Sequence, residues 1–149
     1  DHLCIDSLYR TLQEEDINNI LPLYINMADA SPNLGWRGLE RKSLVRRGTP
    51  DLILCLALVH HIVIGANVPV QEFIAWLASL EAALLIEFVS RDDDMVKTLI
   101  RNREDQYYDY TPESFRHYME QLFDIQRTEP LKDGARQLYF ATPKATSAG

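Results

Sequence analysis

Two adjacent histidines, His60 and His61, end a nearly unbroken apolar run that begins at Asp51. Imidazole titrates near neutrality, so a histidine at the end of a buried strand can serve as general base towards a hydroxyl or an amine. The structural alternative has one ring packed beneath a ligand and the other bonded to a carbonyl. Neighbouring histidines seldom give two ligands to one metal, and no cysteine or carboxylate spacing nearby completes a site. A second candidate is Asp29, which with Ala30 follows the apolar stretch Leu21 to Met27; a turn cap bonding the amides near Ser31 is its plain alternative. Glu87 stands alone as a charge inside Leu84 to Val89. A buried carboxylate must be paired or shifted in pKa, and a structural ion pair is the expectation. Asp92, Asp93 and Asp94 suit the positive end of a helix better than a metal, because consecutive acids on a helix point in different directions. Arg37, Arg41, Lys42, Arg46 and Arg47, with Trp36 beside them, form a basic cluster read as a solvated helix face, with contact to an acidic substrate as the functional alternative.

These residues need elements to position them. Ile5, Leu8, Tyr9 and Leu12 recur at helical spacing and predict a helix from about Leu3 to Gln13 with one buried face. Alternation over Leu21, Leu23, Ile25 and Met27 predicts a strand, stopped by a turn at Ser31, Pro32 and Asn33. Residues 38–47 are expected to form a short helix ended by Gly48, Thr49 and Pro50. The run 51–59 reads as a central strand covered on both faces, the pattern of a parallel sheet. Val70, Phe73, Ile74 and Leu77 mark a helix with Pro69 in its first turn, and Leu84 to Val89 a further strand. A helix opens at Ser90 to Asp94. Thr111, Pro112 and Glu113 are the cap, first-turn proline and dipole-matched acid of another helix, whose face carries Phe115, Tyr118, Met119 and Leu122. Phe123 to Thr142, folded about Pro130, Asp133 and Gly134, predicts an antiparallel hairpin, and residues 143–149 a frayed tail.

The 149 residues are 46% hydrophobic, enough for one domain over 1–142. A chain of this size buries roughly 68–70% of its unfolded surface. With 15 Lys and Arg against 22 Asp and Glu, the net charge is -7, which gives no general attraction to nucleic acid or an anionic membrane. Cys4 and Cys55 are too far apart in sequence to read as a redox pair, and Cys55 is expected as a buried free thiol in a reducing, cytoplasmic setting. No apolar stretch reaches membrane-spanning length.

In open α/β sheets, ligands sit outside the carboxyl ends of the strands. On that plan the chain resembles a class I S-adenosylmethionine-dependent methyltransferase, in the part that follows the glycine-rich first motif. The segments carrying the resemblance are Asn26 to Pro32, Gly35-Trp36 with Glu40 to Ser43, Asp51 to His61, Ile86 to Val89, Arg103 to Asp105, and Asp109 to Thr111. Together they resemble a bacterial group related to the nodulation protein NoeA. The resemblance implies a Rossmann-like, mostly parallel α/β sheet closed by a C-terminal antiparallel hairpin, its N-terminal strands and glycine turn missing. It implies that the Asp29 carboxylate accepts the adenine amine, that the Ala30 N–H reaches a ring nitrogen, that Leu58 borders the cofactor, and that Asp1 either matches the acid on the ribose hydroxyls or lies next to it. His60 and His61 fall where methyl group and substrate meet.

The expected function is therefore that of a truncated methyltransferase, inactive by itself, binding S-adenosylmethionine weakly or not at all. Its methyl acceptor is expected to be a small molecule or glycan-type compound. The alternative is a non-catalytic α/β interaction module that has lost the cofactor loop. A nicotinamide-binding Rossmann domain is the third reading, weakened by the missing G-x-G-x-x-G. An exposed sheet edge left by truncation predicts self-association into a homo-oligomer.

Overall fold

The computed structural model describes residues 1–30, 32–101, 103–131 and 134–145. Ser31, Asp133 and residues 146–149, which figure in the expected turns and tail, lie outside the described residues. The chain divides into two compact units, 1–44 and 45–149.

In the first unit, helix α1 spans His2–Glu14, and the Asp1 carboxylate caps it by accepting the Leu3 N–H at 2.8 Å. Its expected apolar face is only partly covered: Leu12 is buried, whereas Leu8 and Tyr9 are exposed. No strand forms over 21–27. Leu23, Ile25 and Met27 do alternate in burial with exposed neighbours, but the segment finds no pairing strand, and Pro22 has no N–H to offer a ladder. The helix expected over 38–47 is also absent. Its backbone is held instead by side chains and a short bridge. Leu34 pairs with Arg41, the Asn33 carboxamide accepts the Ser43 N–H at 2.8 Å, and the Glu40 carboxylate accepts the Trp36 N–H at 2.9 Å. Gly35 adopts φ +84, and a Cβ there would stand 2.3 Å from that of Glu40, so the loop requires glycine at this point.

The second unit is an α/β fold built on a four-stranded mixed sheet. Its strands are β1 (Leu52–Cys55), β2 (Ala83–Val89), β3 (Phe123–Leu131) and β4 (Arg136–Pro143), in the order β1-β2-β4-β3. β1 and β2 are parallel, with Leu52 opposite Ala83 and Cys55 opposite Ile86; the other pairings are antiparallel, so the sheet is mixed and not the mostly parallel one expected, because the hairpin adds both its strands to it. The crossover between β1 and β2 carries helix α2 (Val70–Ala78), and between β2 and β3 come α3 (Asp94–Ile100) and α4 (Pro112–Leu122). Thr111 caps α4 through the Ser114 N–H at 3.1 Å, with Pro112 in the first turn as expected.

The strand expected to be central is an edge strand, and it is shorter than the apolar run that suggested it. Continuous apolarity does not distinguish a strand from a buried helical segment, and from Val59 to Gly65 the chain is helical. Leu84, Ile86 and Phe88 share the covered face of β2. There Phe88 packs on Phe115 and Tyr110, with ring centroids 4.7 and 4.9 Å away, and Phe115 on Tyr139 at 5.5 Å. Leu54, Leu85 and Phe140 lie in lateral register across the opposite face, where Leu54 is 61% and Phe140 38% exposed. Among the described residues, no helix is long and apolar enough to cross a membrane.

Candidate functional site

The carboxyl ends of β1 and β2 lie side by side, and the polar groups of the second unit's interior gather there. β1 stops because Ala57 turns into the left-handed region, at φ 49. The Leu58 carbonyl then accepts the His61 N–H at 3.0 Å and the Ile62 N–H at 3.2 Å, and a wide five-residue turn, His61–Gly65, closes through the Ala66 N–H onto the His61 carbonyl at 3.0 Å. Wide turns of this π type frequently occur at functional sites. Val59, Ile62, Val63 and Ile64 anchor the turn in the core, which drives His60 inward and leaves His61 at the surface. His60 is 2% exposed, and its Nδ1 has no hydrogen-bond partner. The two imidazoles are 4.2 Å apart.

From β2 comes Glu87, the buried charge noted in the sequence, and it forms the expected ion pair. One carboxylate oxygen accepts the Ala57 N–H at 2.9 Å; the other accepts from Arg136, the first residue of β4, at 3.0 Å. The same guanidinium donates to Asp93 at 2.9 Å. Asp93 in turn caps α3, accepting the Met95 N–H at 3.0 Å, which is the helix-cap role expected for this acidic run. Ser90 lies between β2 and that cap, its N–H bonded to the Ala135 carbonyl at 2.8 Å and its hydroxyl 3.2 Å from the Asp92 carboxylate.

Electrostatics follow from this packing. Burial, then the cationic character of His61 and Arg136, pushes the His60 pKa below the ordinary 6.5, against weaker opposing effects of Asp93 and Glu87. For Asp93, burial acts upward, but the Met95 N–H and the Arg136 guanidinium outweigh it and hold the carboxyl low. Burial raises the Cys55 thiol to about 12, so it is inert as a nucleophile; it is free and buried, as expected. The arrangement therefore offers a neutral imidazole whose buried Nδ1 has no hydrogen-bond partner, held beside a fixed carboxylate–guanidinium–carboxylate chain.

Of the residues singled out in the sequence, Leu58, His60, His61, Glu87 and Asp93 come together here. Asp1, Asp29 and Ala30 belong to the first unit. Asp1 is the α1 cap, and Asp29 ends a turn in which its N–H bonds the Asn26 carbonyl at 3.2 Å; no strand precedes it. The basic residues do not share a helix face, since Arg37 adopts φ 57 and Arg46 and Arg47 belong to a separate short turn. Arg136 was missed. Its signal was a lone cation at the start of the last apolar stretch, legible only once the hairpin register sets Val89 opposite it.

Comparison with known proteins gives one informative similarity. Nodulation protein NoeA of Rhizobium meliloti (strain 1021) is 35% identical over 121 residues, covering 81% of this chain and 25% of that protein. No family model and no solved structure matches. The chain thus spans about a quarter of the length of this curated relative, and it is similar to NoeA over most of its own length.

Proposed function

We propose that this chain is the C-terminal portion of an S-adenosylmethionine-dependent methyltransferase domain of Rossmann-like type, supplying the acceptor side of its site. The observation that carries this is the buried polar cluster at the carboxyl ends of the parallel pair, in a sheet closed by an antiparallel hairpin. That is the place where open α/β sheets bind ligands. A role connected with nodulation rests on the similarity to NoeA alone.

The residues present fit one side of such a site. A cofactor's methionine half needs a glycine turn for close backbone approach, whereas the two parallel strands run into Leu56–Leu58 and Ser90–Asp93. These segments form a wall with a buried imidazole, suited to an acceptor that loses a proton, and they offer no cradle for the cofactor. The bound cofactor supplies an electrophilic methyl group. This chain's own residues orient the acceptor, exclude water and, through His60 or His61, take up the acceptor proton. A small hydroxyl- or amine-bearing molecule or a glycan-type acceptor meets that requirement.

Titration calorimetry with S-adenosylmethionine tests the reading. This 149-residue chain is expected to bind weakly, and a longer protein containing it tightly; submicromolar affinity in the chain alone, or no binding in the longer protein, defeats it.

One observation favours the non-catalytic alternative, in which the fold is an interaction module. Leu54, Leu85 and Phe140 form an apolar row across one sheet face, beside the edge strand β1. Such surfaces recruit partners. Light scattering that shows a stable homo-oligomer, together with a longer protein that binds no cofactor, selects the module.

A further inference from the structure

Glu87 has spent both oxygens, one on the Ala57 backbone and one on Arg136. Ala57 is held at φ 49, a left-handed conformation that a residue with a Cβ keeps only where the surroundings enforce it. Arg136 continues the chain to Asp93, the α3 cap. A single carboxylate–guanidinium–carboxylate relay therefore ties the loop after β1 to the loop after β2. Three residues beyond Ala57, the His60 imidazole is buried with Nδ1 unpartnered. A buried polar atom without a partner is unfavourable, so something must hold the ring there against its own preference.

We propose that Glu87 is a positioning residue for His60: by clamping the Ala57 amide, under the grip of Arg136, it fixes the loop that carries the buried imidazole at the acceptor side of the site. This rests on the reading of the carboxyl ends of β1 and β2 as the acceptor side of a site. The charged and titratable groups that act electrostatically on His60 are His61 from its own turn, Arg136 from β4, Asp93 from the α3 cap and Glu87 from β2.

The test uses the 149-residue chain and needs no cofactor. Amide exchange at Ala57 and the NMR titration of His60 are compared in the parent, in Glu87→Gln and, as a surface control, in Glu120→Gln. In Glu87→Gln, Ala57 exchange is expected to rise about tenfold or more, the loss of one charge-assisted bond, and the His60 midpoint to move up towards 6.5 as the loop admits water. Glu120→Gln is expected to change neither. A His60 midpoint unchanged in Glu87→Gln while Ala57 exchange rises overturns the proposal, because Glu87 then only ties down a loop; unchanged Ala57 exchange overturns it too. If Glu87→Gln does not fold, Arg136→Lys carries the same two readings with the same outcomes, since an ammonium lacks the fork that serves two carboxylates at once. Failure of S-adenosylmethionine to bind any longer protein sinks the proposed function and leaves these measurements standing.

Discussion

The two units of this chain are stabilised by different means. In residues 1–44, Leu12 alone is buried among the described residues, and the backbone is satisfied largely by nearby side chains such as Asp1, Asn33 and Glu40. In residues 45–149, a strand ladder and an aromatic core of Phe88, Tyr110, Phe115 and Tyr139 hold the backbone from a distance in sequence. Only the second kind of scaffold can keep a polar atom such as the His60 Nδ1 buried and unpartnered, since that cost must be offset by contacts elsewhere.

The largest test of this contrast is Phe115→Ala. Removing a fully buried ring should cost about 3–5 kcal/mol and shift the whole melt of the second unit, whereas Leu12→Ala should cost about 2 kcal/mol or less and speed hydrogen exchange chiefly within α1. Equal losses in the two variants, measured by denaturant unfolding, would break the comparison.

A smaller effect comes from pH. The His60 pKa is lowered by folding, so its contribution is complete above the ordinary 6.5 and is lost as pH falls from there through the lowered value. Asp93 is also lowered, so its contribution is present above 3.8 and is lost as pH falls through its own, lower value. The melting temperature of the second unit should therefore fall in two stages on acidification, and His60→Leu should flatten the first. An unflattened curve would place the first stage elsewhere.

Thr111→Ala removes the α4 cap and should cost about 1 kcal/mol, read by thermal melting. At the bottom of the scale, Arg10→Ala breaks the exposed Asp6–Arg10 pair of α1 and should change stability by under about 0.5 kcal/mol; a larger loss would mean that the first unit depends on its surface charges.

Much of the second unit was legible because its signals are local. Thr111-Pro112-Glu113 announces a helix start within three residues, and Leu84 to Val89 reads as a buried strand without knowledge of its neighbours. The hairpin is legible for the same reason. The first unit misleads because Leu21 to Met27 alternates like a strand, yet a strand exists only with a partner, and none pairs with it. The acidic cap and the Glu87 ion pair were readable in kind. The identity of the partner was not, because Arg136 lies 49 positions from Glu87 and is brought to it by sheet register. Likewise the chemistry of His60 and His61 suggested a base, but only the turn after Ala57 decides that one ring is buried and the other exposed.

The apolar row across the sheet has a colloidal consequence. At neutral pH a net charge of -7 keeps copies of the chain apart, and Leu54 and Phe140 of different molecules meet rarely. Near the isoelectric point of about 5.0 that repulsion vanishes, on the acid side of 6.5, where protonation at His60 works against the second unit. Mild acid thus removes the long-range repulsion and weakens the fold together, and purification or storage near pH 5 should bring the bare sheet faces of separate molecules into contact.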